Sequence, residues 1–209
     1  MSNRPVSPIS ESTLIALPPG YQFVERLGEG EQAVVVLAKR LQLDDFVAVK
    51  ILKPCDTVGL RRFQSEAEAA AKLSCENIAR AWLSGTVHDR PFIVYEYVSG
   101  ETLKSRLERG ALGLNEFYAI FRQLLVALTY IDEHGLIHRD LKPSNIMLST
   151  DAEGALCVKL LDFGIAKIAS NSAQTQELTK TGMVIGSPLY MSPEQIIRKK
   201  MDARTDIYS

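Results

Sequence analysis

The chain is short of charge imbalance, of long apolar runs and of cysteine. Lys plus Arg total 24 against 25 for Asp plus Glu, a net charge of −1. No basic surplus therefore points to nucleic acid or an anionic membrane as the main partner. No stretch approaches the roughly 20 apolar residues that span a bilayer. Residues 1–20 lack the basic start and apolar run of a signal peptide. These features give the expectation of a soluble, cytoplasmic chain without a membrane segment. The three cysteines, Cys55, Cys75 and Cys157, form no CxxC pair; their spacing does not suit zinc and fits free thiols in a reducing compartment. No internal repeat is visible, and nothing speaks to oligomeric state.

What is present is 209 residues, 46% of them hydrophobic, enough for one large core or two small ones. Residues 1–20, with Pro5, Pro8, Pro18 and Pro19 among serines, read as a flexible tail. Strand-like runs then cover 21–27, 33–39, 46–52, 79–87 and 91–98. Between the third and fourth, Thr57 is a plausible N-cap for a helix whose apolar stripe is Leu60, Phe63, Ala67, Ala70 and Leu73. Five strands and one helix make a small lobe over 21–98. From 99 onward the character changes. Asn115 can cap a long helix with Phe117, Ile120, Phe121, Leu124, Leu128 and Ile131 on one face, closed by Gly135. Short strands are expected around Ile137, 146–148 and 158–160, and 169–181 reads as a loop. Two lobes joined near 97–100 leave a cleft for a ligand.

Leu27-Gly28-Glu29-Gly30 lies between two strands, where glycines let backbone N–H groups approach phosphate oxygens. Such turns occur in many hairpins, so the motif alone is weak; a strand follows it where a dinucleotide-binding fold needs a helix. Val47-Ala48-Val49-Lys50 sets a lysine among apolar neighbours, either snorkelling from a strand end or paired, with Glu66 the evident partner. His138-Arg139-Asp140-Leu141-Lys142-Pro143-Ser144-Asn145 is more specific. Asp140 can accept or orient a hydroxyl proton, Lys142 can neutralise a transferred anion, and Asn145 offers a neutral oxygen to a magnesium ion. Asp162-Phe163-Gly164 then supplies a hard anionic ligand.

With these motifs in this order, the chain from Tyr21 to Ser209 resembles a bacterial eukaryotic-like serine/threonine protein kinase; Ser192-Pro193-Glu194 completes the set. The resemblance implies an α+β, two-lobed protein-kinase-like fold. The small lobe would be a five-stranded antiparallel sheet plus one helix, the mainly helical large lobe of 99–209 incomplete. It implies ATP and Mg2+ as cofactors and Ser/Thr-bearing proteins as substrates. Lys50 would hold the α- and β-phosphates and pair with Glu66, Asp140 would be the catalytic base, and Asn145 and Asp162 would bind magnesium. Leu27, Gly28, Glu29 and Gly30 would line the nucleotide. Glu96 and Val98 would meet adenine through their backbone, Val35, Ala48 and Met147 would sandwich the ring, Tyr95 would guard the back of the pocket, and Glu101 would reach the ribose. Lys142 after Asp140 resembles the serine/threonine branch. Arg139 is a cation with which a phosphorylated loop could pair.

Several positions depart from the family pattern. Ala33 replaces a third glycine, and Glu29 and Glu31 make the loop tip acidic, a charge expected to weaken ATP binding slightly. The last residues, 202–209, resemble the opening of the central large-lobe helix, which further helices cover in the family. Each uncovered Leu- or Phe-sized side chain forgoes roughly 1.5–3 kcal/mol, so the expectation is an exposed apolar face on the 117–131 helix and low stability and activity. The alternative to an active kinase is an inactive fragment serving as a nucleotide-binding or regulatory module. A small-molecule kinase fits less well with Gly186 to Glu194, which resembles a protein-substrate platform. Thr179 and Thr181 stand where the bacterial relatives autophosphorylate. Mass spectrometry after incubation with ATP is expected to find phosphate on one or both; two unmodified threonines in a chain that phosphorylates a protein would refute the assignment.

Overall fold

The computed structural model describes residues 16–162, 188–197, 199 and 201–209. Thr179, Thr181, Phe163 and Gly164 lie outside the described residues. Five strands, β1 (Tyr21–Glu29), β2 (Ala33–Arg40), β3 (Asp45–Leu52), β4 (Ala81–Val87) and β5 (Arg90–Glu96), form an antiparallel sheet in the order β1-β2-β3-β5-β4. Helix α1 (Thr57–Ala70) interrupts them. A second sheet of β6 (Glu101–Thr102), β7 (Ile146–Thr150) and β8 (Leu156–Leu160) belongs to the other lobe, with helices α2 (Leu103–Glu108), α3 (Leu114–Glu133), α4 (Pro193–Ile196) and α5 (Arg204–Tyr208).

The period-2 alternation of strands sorts side chains onto two cores. Val34, Val36 and Ala38 of β2, Val47, Val49 and Ile51 of β3, and Phe92 and Val94 of β5 pack together on one face. Ile93 and Tyr95 point the other way, into a core shared with Phe63 and Ala67 of α1, Ile120, Leu124 and Ile131 of α3, and Ile146, Leu148, Val158 and Leu160. Lys50 lies opposite Val35 and Ile93 in the ladder, so alternation sends it to the same side as Ala48, toward the cleft.

Backbone and side-chain amides fasten β8 to the small lobe. Leu160 N–H donates to the Asn77 carbonyl and Ala79 N–H to the Leu160 carbonyl, both at 2.9 Å. Asn77 Nδ2 donates to the Val158 carbonyl at 2.9 Å, and Gln123 of α3 both accepts from Val158 N–H, at 2.9 Å, and donates to the Leu156 carbonyl, at 2.8 Å. Asp162, two residues beyond β8, inherits this fixed position.

Local details differ from the sequence expectations. Asp56, not Thr57, caps α1: its carboxylate accepts from Gly59 N–H at 2.8 Å. Gly113, not Asn115, is the N-cap of α3; with no side-chain cap there, Glu116 steadies the first turn through Arg106, at 2.6 Å. No strand forms around Ile137, where the His138 and Arg139 amides turn to the Asp206 carboxylate instead of a ladder. β6 and α2 were not anticipated, although Thr102 caps α2 by accepting Ser105 N–H at 3.1 Å. Of the expected α3 stripe, Ile120, Leu124, Leu128 and Ile131 are buried. On α3 the exposed large apolar side chains are Phe117 of the stripe and, beside it, Leu114, Tyr118, Leu125 and Val126.

Gly100 joins the lobes at φ +141°, and a Cβ there would press into the Leu148 carbonyl. Gly100→Ala combines a strained backbone with a clash and is expected to lower unfolding free energy by about 3 kcal/mol, read as a shift of the urea midpoint.

Candidate active site

The floor of the cleft is the 3-10 turn Pro143–Asn145 and the strand β7 that follows it. Lys142 Nζ donates to Asp140 Oδ2 at 2.7 Å. Asn145 Nδ2 donates to the Asp140 carbonyl at 2.9 Å and to Oδ2 at 3.2 Å. With the amide nitrogen turned to Asp140, Asn145 Oδ1 is the atom a hard cation would meet.

The roof is a charge cluster. Lys50 Nζ donates to Glu66 Oε1 at 2.6 Å and to Asp162 Oδ1 at 2.9 Å. Tyr95 donates its hydroxyl to the same Glu66 oxygen at 3.0 Å. Burial disfavours charge on Lys50, but Asp162 and Glu66 outweigh it and raise its pKa. Burial pushes the Glu66 carboxyl up, opposed chiefly by Lys50. Burial likewise raises the Tyr95 phenol, reinforced by the neighbouring carboxylates.

Sequence pairing of Lys50 with Glu66 is therefore realised, and the structure adds Asp162 and Tyr95 to it. Asp162 (φ +41°) and Arg139 (φ +65°) are non-glycine residues in the left-handed region, a conformation that persists only where contacts fix it. For Arg139 the contact is Asp206, whose carboxylate accepts His138 N–H at 2.7 Å and Arg139 N–H at 2.8 Å.

Other expected residues fall around the same cleft. Among the described residues, a Cβ at Gly28 would meet nothing within 4 Å, and one at Gly30 only the Ala33 carbonyl at 3.8 Å. Neither glycine has a positive φ. At the acidic tip Glu29 is ion-paired to Lys53 at 2.5 Å and to Arg26. Val35 and Ala48 sit on β2 and β3, and Met147 on β7 opposite Thr102. Glu96 ends β5; its N–H donates to the Arg80 carbonyl at 2.8 Å and its carboxylate pairs with Lys159 at 2.8 Å. Val98 follows in the connection. Glu101, expected at the ribose, is held by Arg109 at 2.6 Å. Leu27 lies on β1 and is largely exposed.

Sequence reading missed Tyr95 as a partner of Glu66, Lys159 as a partner of Glu96, and Gln195, whose Nε2 donates to the Arg139 carbonyl at 2.8 Å. None carries a local signal, since each contact joins segments far apart in sequence.

A model of the protein kinase domain matches residues 21–209. The chain belongs to the protein kinase family, in its bacterial, eukaryotic-like (Hanks-type) branch. It is 39% identical to a probable serine/threonine-protein kinase of Clostridium acetobutylicum, aligning over 90% of this chain and 28% of that protein. It is also 39% identical to the serine/threonine-protein kinase pkn3 of Myxococcus xanthus, over 90% of this chain and 36% of that one. The chain thus spans about a third of the length of these curated relatives. The crystal structure of the PknI kinase domain of Mycobacterium tuberculosis superposes with a TM-score of 0.70 at 28% identity, covering 91% of this chain and 71% of that one.

Burial pushes the His138 imidazole below its ordinary 6.5, against the pull of Asp206. As pH falls through the unfolded value the unfolded chain takes the proton first, so stability is lost toward acid. Stability is expected to fall by up to about 1.4 kcal/mol per unit below roughly pH 6.5. The slope should be absent from His138→Phe and should therefore appear in the difference between wild type and that variant in urea titrations.

Proposed function

We propose that this chain carries out Mg-ATP-dependent transfer of the γ-phosphoryl group to Ser or Thr hydroxyls of proteins, from a cytoplasmic location. The observation that supports this most is that the hydrogen-bonded group of Asp140, Lys142 and Asn145 is joined to the Lys50–Asp162 pair through Leu161, whose N–H donates to the Asn145 carbonyl at 2.8 Å. Asp140, oriented by Lys142 and Asn145, accepts the substrate hydroxyl proton. Lys142 then stands beside the transferred group as a counter-charge. Lys50, kept protonated between Glu66 and Asp162, holds the α- and β-phosphates, while Gly28 and Gly30 with Leu27 and Glu29 form the lid over them.

The donor set fits magnesium. Asp162 and Asn145 offer one carboxylate and one neutral oxygen, and among the described residues no group of three or more His, Cys, Asp or Glu stands together. A cation bound there would take its remaining oxygens from phosphates and water, as magnesium does. Bound Mg-ATP supplies the phosphoryl group and offsets the charge that develops on it.

The adenine amino group, a donor, would use the Glu96 carbonyl, since the Glu96 N–H itself donates to the Arg80 carbonyl, and Val98 would be the next backbone position. Val35, Ala48 and Met147 enclose the ring, and Tyr95 closes the space behind it. A ribose hydroxyl would share Glu101 with Arg109. Small lobe 21–98 and large lobe 99–209 are the natural division, after a tail of 1–20. Among the described residues no helix is long and apolar enough to cross a membrane.

Radiolabel transfer from ATP to a generic basic protein tests the reading in the full-length gene product that contains residues 1–209. Asp140→Asn is expected to lower kcat by about 10²–10⁴-fold, and Lys50→Met to abolish transfer by mispositioning the phosphates. A wild type no more active than Asp140→Asn would sink the proposal.

A further inference from the structure

The backbone is gripped on both sides of the Arg139 Cα, at the N–H before it and at the carbonyl after it. The Asp206 carboxylate takes the N–H groups of His138 and Arg139. Gln195 Nε2 donates to the Arg139 carbonyl at 2.8 Å. That carbonyl shares a rigid plane with the Asp140 N–H, which itself donates to His138 Nδ1 at 3.3 Å. Whatever aims the carbonyl therefore sets the rotation from which the Asp140 side chain hangs. The left-handed φ of Arg139, +65°, makes this restraint necessary, because such a residue relaxes toward the ordinary region when released.

Gln195 is itself held in one orientation. Its Oε1 accepts Ser192 N–H at 2.9 Å, and its own N–H donates to Ser192 Oγ at 3.4 Å, within a capping box on fully buried Ser192. In a capping box the Gln or Glu side chain serves only the start of its own helix. Here the amide has a second end, and that end reaches across 56 residues of sequence to the loop. A glutamate at this position could fill the cap equally well, but when ionised it has no proton to give the carbonyl.

We propose that Gln195 is a positioning residue that aims Asp140 and couples the 188–197 segment, which resembles the platform for the substrate hydroxyl, to the loop carrying the catalytic carboxylate. The inference rests on the kinase reading above and deepens it. Helix α4 continues the coupling: Glu194 accepts the hydroxyl of buried Thr205 at 2.7 Å, one residue before Asp206. The two grips on either side of Arg139 are thus linked to each other.

The test uses Gln195→Met and Gln195→Glu in the full-length gene product. Gln195→Met, similar in shape and without a donor, should lose about 10- to 100-fold in kcat, with the KM for ATP changed less than about twofold. Gln195→Glu should be as impaired near neutral pH and above. As pH falls its carboxyl takes a proton and regains a donor, so its activity relative to wild type should climb toward acid while the Gln195→Met ratio stays flat. His138, Arg139, Asp140, Lys142, Glu194 and Asp206, the ionisable groups of the surrounding network, are the same in all three proteins, so the wild-type profile is the reference. Hydrogen exchange gives a readout that needs no activity: peptides over 138–145 should exchange faster in Gln195→Met, and those over 21–52 should not. Both variants within about twofold of wild-type kcat, a flat Gln195→Glu ratio, or unchanged exchange in the loop would overturn the proposal; the flat ratio would mean a helix cap and nothing more. Failure of the kinase reading looks different, since wild type would then match Asp140→Asn while the exchange result still decides the role of Gln195.

Discussion

Lys50 Nζ lies between two carboxylates that arrive from separate parts of the chain, Glu66 on α1 and Asp162 beyond β8. Three elements are committed to one point by a charge that none of them could bury alone. The pair with Glu66 is largely withdrawn from water, where desolvation cancels much of the Coulombic attraction. Its worth is therefore geometric more than energetic. It fixes how far helix α1 stands from the sheet and where Asp162 stands relative to the floor. Tyr95 adds a neutral donor to the same Glu66 oxygen, which gives that carboxylate a second anchor.

The floor is held by a different device. Asp206 gives its carboxylate to two backbone N–H groups, and charge-assisted bonds of that kind are about twice as strong as neutral ones. Arg139 can then sit in a backbone conformation it would otherwise leave. The roof thus depends on a shared cation and the floor on a shared anion. β8 connects the two through the hydrogen bonds of Asn77 and Ala79 to its edge, while Gln123 of α3 holds it within its own lobe.

Much of this was legible in the chain. Alternation in 33–39 and 46–52 gave the strands and the side to which Lys50 points, because period 2 leaves no other choice once one face is apolar. The spacing within 138–145 gave Asp140, Lys142 and Asn145, because they are near neighbours in a tight turn. Caps were read less well: Asp56 and Thr57 are both good capping residues, and which one stops the helix depends on how the preceding loop enters. The strand expected at Ile137 failed because an apolar run of that length does not say whether its amides will find a ladder or a carboxylate 68 residues away. Exposure of α3 was overestimated for a similar reason, since β7 and β8 cover Ile120, Leu124 and Leu128 from a direction no helical stripe reveals.

The sequence alone determined the residue types at the site, their order, and the strand and helix that carry Lys50 and Glu66, since local spacing and periodicity encode these. Only the tertiary structure decided that Glu29 is ion-paired, that Glu101 is engaged by Arg109, that Tyr95 joins Glu66, and that Gln195 holds the Arg139 carbonyl. Each is a hydrogen bond or ion pair whose partners meet through the packing of the chain. Such contacts are set by distances in space of about 3 Å, on which the order of residues in the chain is silent.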